Sequence, residues 1–400
     1  MIRLWFSTFV FFLYLIPSPL PAAIIADHRT TTLSAIPADW INAVKGTLRL
    51  SYGHTSHGSQ PVEGMKVLAS SPTYGTLYAL NSDGAITGGV LSLADYTPDG
   101  DLGYYGDTAW AAATRTYLNS SSGTGHTRNV VIWSWCGGVS DNTEAGIDTY
   151  LHTMNQLELE YPDVTFVYMT GHLDGTGVNG TLNKLNNRIR HYCQANNKVL
   201  FDFADIESYN PDGYYFLDLN ANDNCDYSGG GHNWATDWCT SHSSSELCAP
   251  VDSCQHSQPL NCNLKARAFW WMLARVAGWD GSGDTSPPVL SHGAPSGQLA
   301  PGTTQATLSV TSNENATCRF ATVRGVAFSA MINTFSVTGG TIHQQNLNNL
   351  KNGQAYDFYV RCKDGQNNSN QEDYYISFSI GKSGGETGTI IPAVFLLLRD

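Results

Sequence analysis

Short apolar runs in the first 280 residues alternate with stretches of helical periodicity. The runs occupy 47–52, 129–135, 164–169 and 199–203. Each has the length and continuity of a strand that is buried on both faces. The intervening stretches carry apolar residues every three or four positions, at 145–161, 182–196 and 265–276. Because strands and helices alternate, crossovers must join the strands, which predicts a three-layer α/β domain with a parallel sheet of the flavodoxin-like type.

Downstream of residue 288 the pattern changes to short segments that alternate apolar and polar residues. They lie at 306–311, 317–321, 334–337, 354–361 and 374–380, separated by Gly and Asn turns. Such a series predicts a small all-β sandwich of about 100 residues. The stretch 281–288, rich in Gly and Ser and ending in two prolines, has the composition of a linker.

The lead-in at 284–288 and the turn at 352–356 give this C-terminal stretch a resemblance to fibronectin type III and immunoglobulin-like modules. The resemblance implies a module over 289–381 that serves as a spacer or adhesive unit and carries no chemistry. The expected organisation is therefore an α/β domain at 27–280, a linker and a sandwich.

The two ends of the chain are apolar. Residues 1–26 start basic, continue apolar for too short a distance to span a bilayer comfortably, and end in small residues, as a secretory signal peptide does. Cleavage is expected near Ala23 or Ala26, which predicts export to the periplasm, the cell surface or the medium. The tail at 382–400 is either a sorting segment or an additional strand.

The composition indicates which classes of binding partner to exclude and in which redox state the cysteines should be. The net charge is −13, charged residues are 14% of the chain, and the sequence has no basic run, which argues against nucleic acid and anionic membranes. Nine cysteines in an exported chain should be mostly oxidised. Five of them lie within 225–262, and Cys318 should pair with Cys362. An odd total leaves at least one thiol free, with Cys136 or Cys193 the favoured one.

A polar turn around Ser56 follows the first long strand, where α/β sheets bind ligands. With a glycine-containing turn at 103–108, a polar segment at 133–142 and His256 before the last helix, it resembles the SGNH (GDSL-type) hydrolase superfamily. The resemblance implies Ser56 as the nucleophile, His256 as the general base and Asp252 as its orienting group. His54 stands where that family has Asp, and Asp252 precedes His256 by four residues rather than three.

The same resemblance implies that the N–H of Gly106 and the amide of Asn142 stabilise the oxyanion. Residues 225–262, poor in aliphatic side chains, should form a disulfide-held lid over the crevice. The polar and aromatic residues expected to contact substrate are His54, His57, His172, Asp174, His232 and Trp234.

The resulting hypothesis is a secreted serine esterase or deacylase that acts on acylated carbohydrate and needs no metal or cofactor. Its expected partner is a glycan or another acylated extracellular substrate, with no membrane insertion beyond the signal peptide. Two alternatives stay open at this point. One is a carbohydrate-binding or adhesive surface protein without turnover. The other is a metal-assisted polysaccharide lyase or hydrolase, in which the histidines hold an ion such as zinc.

Overall fold

The computed structural model describes residues 22–229, 231–283, 286–365 and 367–382. Most of the predicted leader and nearly all of the predicted tail lie outside these described residues. Residues 24–26, assigned to the leader from sequence, form an edge strand of the main sheet. Cleavage near Ala23 would keep this strand in the mature protein, whereas cleavage near Ala26 would remove it.

Among the described residues, seven strands form one parallel sheet in the order β1-β7-β6-β5-β2-β4-β3. They are β1 (Ile24–Ala26), β2 (Arg49–Gly53), β3 (Leu80–Asn81), β4 (Leu91–Asp95), β5 (Val130–Trp133), β6 (Thr165–Met169) and β7 (Val199–Phe201). The four apolar runs correspond to β2, β5, β6 and β7. All of β5 and all but the first residue of β2, β6 and β7 are buried, and most of these side chains are apolar, which is why the sequence pattern detects the strands. The prediction of a parallel α/β fold is confirmed.

Helices cover both faces of the sheet. They are α1 (Ala38–Thr47), α2 (Ser59–Ser70), α3 (Ala109–Leu118), α4 (Glu144–Glu160), α5 (Thr181–Ala195), α6 (Phe203–Glu207), α7 (Trp234–Ser241) and α8 (Pro259–Val276). One layer contains α1, α2 and α8, and the other contains α3, α4 and α5, according to which helices contact one another. Two short strands, β8 (Asp226–Tyr227) and β9 (His232–Asn233), pair in the cysteine-rich insert.

The sheet has a topological switch between β2 and β5. The central order β4-β2-β5-β6-β7 places later strands on both sides of β2. In such sheets the connections depart toward opposite faces, which opens a crevice beyond the carboxyl ends of the two strands. The segments that follow β2 and β5 therefore define the place where a ligand is expected.

The C-terminal region contains a three-stranded sheet, β10-β12-β15, and a five-stranded sheet, β11-β17-β16-β13-β14. Their strands are β10 (Leu290–Ala294), β11 (Gly297–Leu299), β12 (Gln305–Ser312), β13 (Ala316–Ala321), β14 (Asn333–Thr334), β15 (Ile342–Asn348), β16 (Ala355–Asp364) and β17 (Tyr374–Ile380). The neighbouring pairs are antiparallel except for β11 with β17. Its buried apolar residues form a cluster separate from that of the α/β region. The predicted sandwich is consistent with this arrangement.

Three disulfides are present in the described chain: Cys239–Cys248, Cys254–Cys262 and Cys318–Cys362. The last confirms the predicted pairing in the sandwich, where the two residues lie opposite each other on β13 and β16. Cys136, Cys193 and Cys225 are free thiols. No described helix is both long enough and apolar enough to cross a membrane.

A fully buried ion pair lies between α8 and α6. Lys265 Nζ is 2.5 Å from Glu207 Oε1, and both side chains are 0% exposed. Glu207 Oε2 also accepts the N–H of Leu173 at 2.7 Å, and Lys265 donates to the side chain of Gln60 at the start of α2. Burial lowers the pKa of Lys265 although Glu207 opposes that change. The pair thus connects four segments that are far apart in sequence.

We expect Lys265→Met to lower the free energy of unfolding of the α/β region by about 3–5 kcal/mol, because it leaves the Glu207 carboxylate buried and unpaired. The double variant Lys265→Met/Glu207→Gln should recover part of that loss, since no uncompensated charge remains. Urea unfolding followed by tryptophan fluorescence measures both. The half-exposed Lys66 bonds Glu63 at the surface, so Lys66→Met is the matched control and should change stability by less than about 1 kcal/mol. Equal losses in Lys265→Met and the double variant would contradict this account.

Candidate active site

The turn at 54–58 connects β2 to α2 and carries the first two residues of the site. A Cβ atom on Gly58 would lie 2.2 Å from Ser134 Oγ and 2.3 Å from His54 Cβ, so only glycine fits there. His54 is completely buried and bonds Asp95 through Nε2 at 2.7 Å. The contacts of His54 and Gly58 hold the two ends of the turn in place, so that Ser56 and His57 lie at the carboxyl end of the sheet.

Cys136 lies just beyond the end of β5, on the other side of the switch point. It is followed by Gly137 and Gly138, both with positive φ (75° and 72°), a conformation that favours glycine. A Cβ on Gly138 would lie 2.3 Å from the carbonyl oxygen of Gly103. The chain therefore turns sharply after Cys136, beneath the 103–106 loop, and leaves the half-buried thiol facing the 54–58 turn.

Cys136, His57 and Asp223 form a connected chain of side chains. His57 Nδ1 is 3.4 Å from Cys136 Sγ, and His57 Nε2 is 2.9 Å from Asp223 Oδ2. The second oxygen of Asp223 accepts the N–H of Asn224 at 2.9 Å. A nucleophile, a base and an acid that orients the base occur in this order in cysteine and serine hydrolases. The geometry therefore defines a Cys-His-Asp triad.

The electrostatics of the triad favour a thiolate paired with an imidazolium. The hydrogen bond from His57, assisted by Ser56 and Thr55 and opposed by burial, lowers the pKa of Cys136 to about 6. Burial lowers the pKa of His57, but the bonds to Asp223 and Cys136 outweigh it and raise that pKa to about 9. Burial raises the pKa of Asp223, yet the hydrogen bond from His57 brings it below its ordinary value. At neutral pH the sulfur is thus negative and the imidazole positive.

Two further histidines stack on the His57 ring. His172 lies 3.7 Å away with an interplanar angle of 2°, and His256 lies 4.4 Å away at 15°. His172 Nε2 accepts the N–H of Gly137 at 3.3 Å, and its Nδ1 is 2.9 Å from the carbonyl oxygen of Leu173. The bond from Gly137 requires a lone pair on Nε2, so we assign His172 as neutral with its proton on Nδ1.

The same stacking bears on the hypothesis of a metal site. His57, His172 and Asp223 bring one ligand atom each within 4.8 Å of one another. A metal ion lies near the plane of every imidazole that ligates it, whereas these two rings are stacked in parallel planes with their centroids 3.7 Å apart. As placed, they do not direct their lone pairs at one common ion. A shared ion would require one ring to rotate out of the stack.

The structure gives the predicted serine triad a different set of contacts. Ser56 Oγ is 3.1 Å from Cys136 Sγ. His256 belongs to the same cluster through its stacking on His57, but among the described residues no hydrogen bond joins it to Ser56. Asp252 is exposed and makes no hydrogen bond or ion pair with the described part of the chain. Ser56 therefore lies against Cys136 and His256 against His57, and among the described residues neither makes the contact that base catalysis of Ser56 by His256 would use.

Of the two residues expected to stabilise an oxyanion, Asn142 is held by a structural hydrogen bond, whereas the N–H of Gly106 has no hydrogen-bond partner among the described residues. The Asn142 amide is buried and donates to the carbonyl oxygen of Gly138 at 3.0 Å, which closes the turn after Cys136. Gly106 packs against the start of α4, where a Cβ on Gly146 would lie 3.1 Å from the Gly106 nitrogen. In this arrangement Asn142 shapes the loop that carries the thiol.

Four other predicted contact residues have local roles. Asp174 accepts hydrogen bonds from the N–H and hydroxyl of Thr176 and so closes a turn. His232 is exposed and stacks on Tyr227. Trp234 is 1% exposed and packs inside the insert, so its ring has no surface to offer a sugar. His54, completely buried, supports the turn from below.

Sequence reasoning missed Asp223 and treated Cys136 only as an unpaired cysteine. Asp223 sits two residues before the predicted insert and is positioned by its N–H, which donates to the carbonyl oxygen of Leu173 at 3.1 Å. The insert also holds His256 in place, because Cys254–Cys262 brackets it and the carbonyl of Gln255 accepts from Gln60 at 2.6 Å. A free cysteine followed by two glycines at a strand end was the available sequence signal.

Comparisons with known proteins identify no family. No family model matches the sequence, and no curated protein matches it significantly. Twelve chains of solved structures do match. An engineered protein has 12% identity and a TM-score of 0.22, with 82% of this chain and 61% of that chain covered, so this chain spans about three fifths of that protein's length.

Two other matches come from named bacteria. The BIgI domain of beta protein from S. agalactiae, solved bound to CEACAM1, has 13% identity and a TM-score of 0.16, covering 24% of this chain and 97% of its own. A nucleoside hydrolase-related hypothetical protein from Saccharophagus degradans, described as associated with carbohydrate metabolism, has 11% identity and a TM-score of 0.17, covering 90% and 99%. Scores this low carry no argument about this chain.

We expect Cys136 to react with iodoacetamide at pH 7 far faster than an ordinary thiol, because a pKa of about 6 leaves most of it as thiolate. Cys225 is buried, and burial raises its pKa to about 12; burial also raises the pKa of Cys193. Both should stay unmodified in the folded protein.

Mass spectrometry of timed alkylation measures the rates. His57→Ala should slow the labelling of Cys136 at pH 7 about tenfold or more, as its pKa returns toward 8.5, whereas His152→Ala on α4 should leave it unchanged. An alkylation rate in His57→Ala equal to that of the wild type would show that the ion pair does not exist.

Proposed function

We propose that this protein is an exported acyl hydrolase whose nucleophile is the Cys136 thiolate. The single observation that carries the proposal is the continuous contact from Cys136 Sγ through His57 to Asp223. A thiolate attacks acyl carbons, and an imidazole held by a carboxylate both delivers and removes the protons that acyl transfer requires. The proposal keeps the hydrolase chemistry expected from sequence and moves the nucleophile from Ser56 to Cys136.

The reaction balances with the groups present and water. The Cys136 sulfur attacks the ester carbonyl carbon, the His57 imidazolium gives its proton to the leaving alcohol oxygen, and the C–O bond breaks to leave a thioester on Cys136. Neutral His57 then takes a proton from water as the water oxygen attacks the thioester carbon. The C–S bond breaks, the product departs as the carboxylic acid and then loses its proton to solvent, and the thiolate–imidazolium pair is restored.

Backbone donors for an oxyanion are present on the turn that carries the nucleophile. The N–H of Gly137 is bonded to His172. The N–H groups of Cys136 and Gly138 make no hydrogen bond within the described residues, so they are available to a developing negative charge. One such donor contributes about 3 kcal/mol to stabilising a tetrahedral intermediate. In this mechanism Ser56 is a hydrogen-bond partner of the sulfur that helps to keep it ionised.

An acylated glycan is the substrate class that we propose. Tyr104 and Tyr105 are 48% and 71% exposed, on the loop above Gly137 and Gly138. The Tyr104 hydroxyl lies 3.5 Å from the carbonyl oxygen of Cys136. Exposed aromatic rings stack on the apolar faces of sugars. A glycan held there would have its substituents close to the sulfur. Three disulfides accord with an oxidising compartment.

Substitution of the two candidate nucleophiles tests the proposal. Cys136→Ala should abolish hydrolysis of p-nitrophenyl acetate and release of acetate from acetylated xylan. Ser56→Ala should retain activity, lowered about threefold to thirtyfold because the thiolate loses one hydrogen bond. Asp223→Asn should lower kcat by about 100-fold or more, since the imidazole loses its orienting carboxylate.

Full activity in Cys136→Ala together with complete loss in Ser56→Ala would overturn the proposal and restore the serine mechanism. Activity that survives in both variants but disappears with EDTA would instead support metal-assisted chemistry. If Tyr105→Ala releases acetate from xylan as fast as the wild type does, the glycan subsite is contradicted and the thiol mechanism is unaffected.

The pH dependence of kcat/KM should be bell-shaped, with limbs near 6 and 9. Below about 6 the sulfur is protonated and loses its nucleophilicity, and above about 9 the imidazole loses the proton that it must give to the leaving group. The two values describe the coupled pair. Stopped-time assays from pH 4.5 to 10.5 on the wild type and on Ser56→Ala measure the profile. We expect the acid limb of Ser56→Ala to move to higher pH, and an acid limb that stays in place would contradict the role given to Ser56.

A further inference from the structure

Two neighbouring tyrosines form an aromatic surface on the outer face of the five-stranded sheet. Along β16 and β17, side chains alternate between the core, where Phe358 and Ile376 are buried, and solvent, toward which Tyr359 and Tyr375 project. The register places Tyr359 directly opposite Tyr375. Their ring centroids are 5.3 Å apart at an interplanar angle of 32°. The two rings are therefore in contact with each other on one face of the sheet, with their planes tilted.

The exposed ring of this pair is held in a fixed orientation. Tyr375 is 55% exposed, yet its hydroxyl donates to Asp357 Oδ1 at 2.6 Å. The Ser377 hydroxyl donates to the same oxygen at 2.7 Å. Tyrosine has few rotatable bonds, and these contacts restrict them further, so a ligand that stacks here loses little side-chain entropy on binding.

A cavity of about 330 Å³ lies beside the tyrosines and is lined by Arg324, Tyr359, Glu372, Asp373 and Tyr375. Asp373 is fixed by Arg361 Nε at 2.6 Å and by the N–H of Gly325 at 2.7 Å. Burial raises the pKa of Asp373, but these bonds hold it below its ordinary value. Arg324 and Glu372 are exposed at the rim. The cavity thus combines an aromatic wall with charged hydrogen-bonding groups.

We propose that this surface of the sandwich is a binding site for a neutral glycan. The C–H face of a sugar ring stacks on the tyrosines, while carboxylates accept and the guanidinium donates hydrogen bonds to hydroxyl groups. The volume is at the lower end of the roughly 300–1,000 Å³ typical of ligand sites, which suits one or two sugar rings. Binding here does not depend on the chemistry proposed for Cys136.

The local charge distinguishes a neutral glycan from an anionic one. Among the described residues that line the cavity or bond a lining residue, Arg324 and Arg361 are positive, and Asp357, Glu372 and Asp373 are negative. Arg361 is paired with Asp373, so within this set of described residues Arg324 is the one cation left to meet a ligand. A uronate polymer or a phosphate would meet excess negative charge, whereas neutral hydroxyl groups gain from both signs.

Affinity electrophoresis of the full chain tests the site, with native gels that contain galactomannan, xyloglucan, mixed-linkage β-glucan or, as the anionic comparison, polygalacturonate. We expect retardation by at least one neutral polysaccharide. Tyr375→Ala should weaken that binding about tenfold or more because it removes the aromatic face. Tyr375→Phe keeps the ring and should bind nearly as well as the wild type. Tyr214→Ala, at a residue 70% exposed in the α/β region, is the matched control and should bind normally.

Absence of retardation by all three neutral polysaccharides would overturn the proposal, as would unchanged binding in Tyr375→Ala. Stronger retardation by polygalacturonate than by the neutral gels would show that the ligand class is wrong. Near-ultraviolet circular dichroism of each variant shows whether the sandwich is intact. Because Cys136→Ala should bind like the wild type, loss of the thiol mechanism and loss of this site are separately observable.

Discussion

The buried ion pair of Lys265 and Glu207 holds in place the two backbone segments that carry the histidines of the site. One end of the pair bonds Gln60, three residues beyond His57, and the other holds the N–H of Leu173, next to His172. A buried charge cannot exchange its partner for water without a large desolvation cost. The ion pair therefore fixes the backbone near His57 and near His172. The stacking of His172 on His57 depends on these fixed positions.

The charges nearer the crevice have a different purpose. His57, held between the carboxylate of Asp223 and the sulfur of Cys136, is stabilised as a cation from both sides. Its positive charge in turn stabilises the thiolate at a point where water is partly excluded. The ion pair of Lys265 and Glu207 is fully buried, whereas the pair of His57 and Cys136 is only partly buried. That difference in exposure lets one support the other without sharing its function.

Much of the fold, but less of the site, could be predicted from sequence. The central strands are largely apolar runs, and they alternate regularly with helices along the chain. The strands β2, β5, β6 and β7 could therefore be recognised. The short edge strand β1 was hidden inside an apolar leader pattern. The polar cluster around Ser56 was located correctly because it follows β2. Asp223 could not be found, since its contact with His57 spans 166 residues and depends on one backbone bond to Leu173.

The wide spacing of the triad along the chain has a consequence for how the protein folds. His57 must meet Cys136 across 79 residues and Asp223 across 166. Pairings of such sequence separation form late, after local helices and adjacent strands. In a collapsed intermediate with native secondary structure, the Cys136 thiol therefore still has the low reactivity of an ordinary cysteine. The appearance of thiolate reactivity marks completion of the chain topology, which makes Cys136 a built-in kinetic reporter of the last folding step.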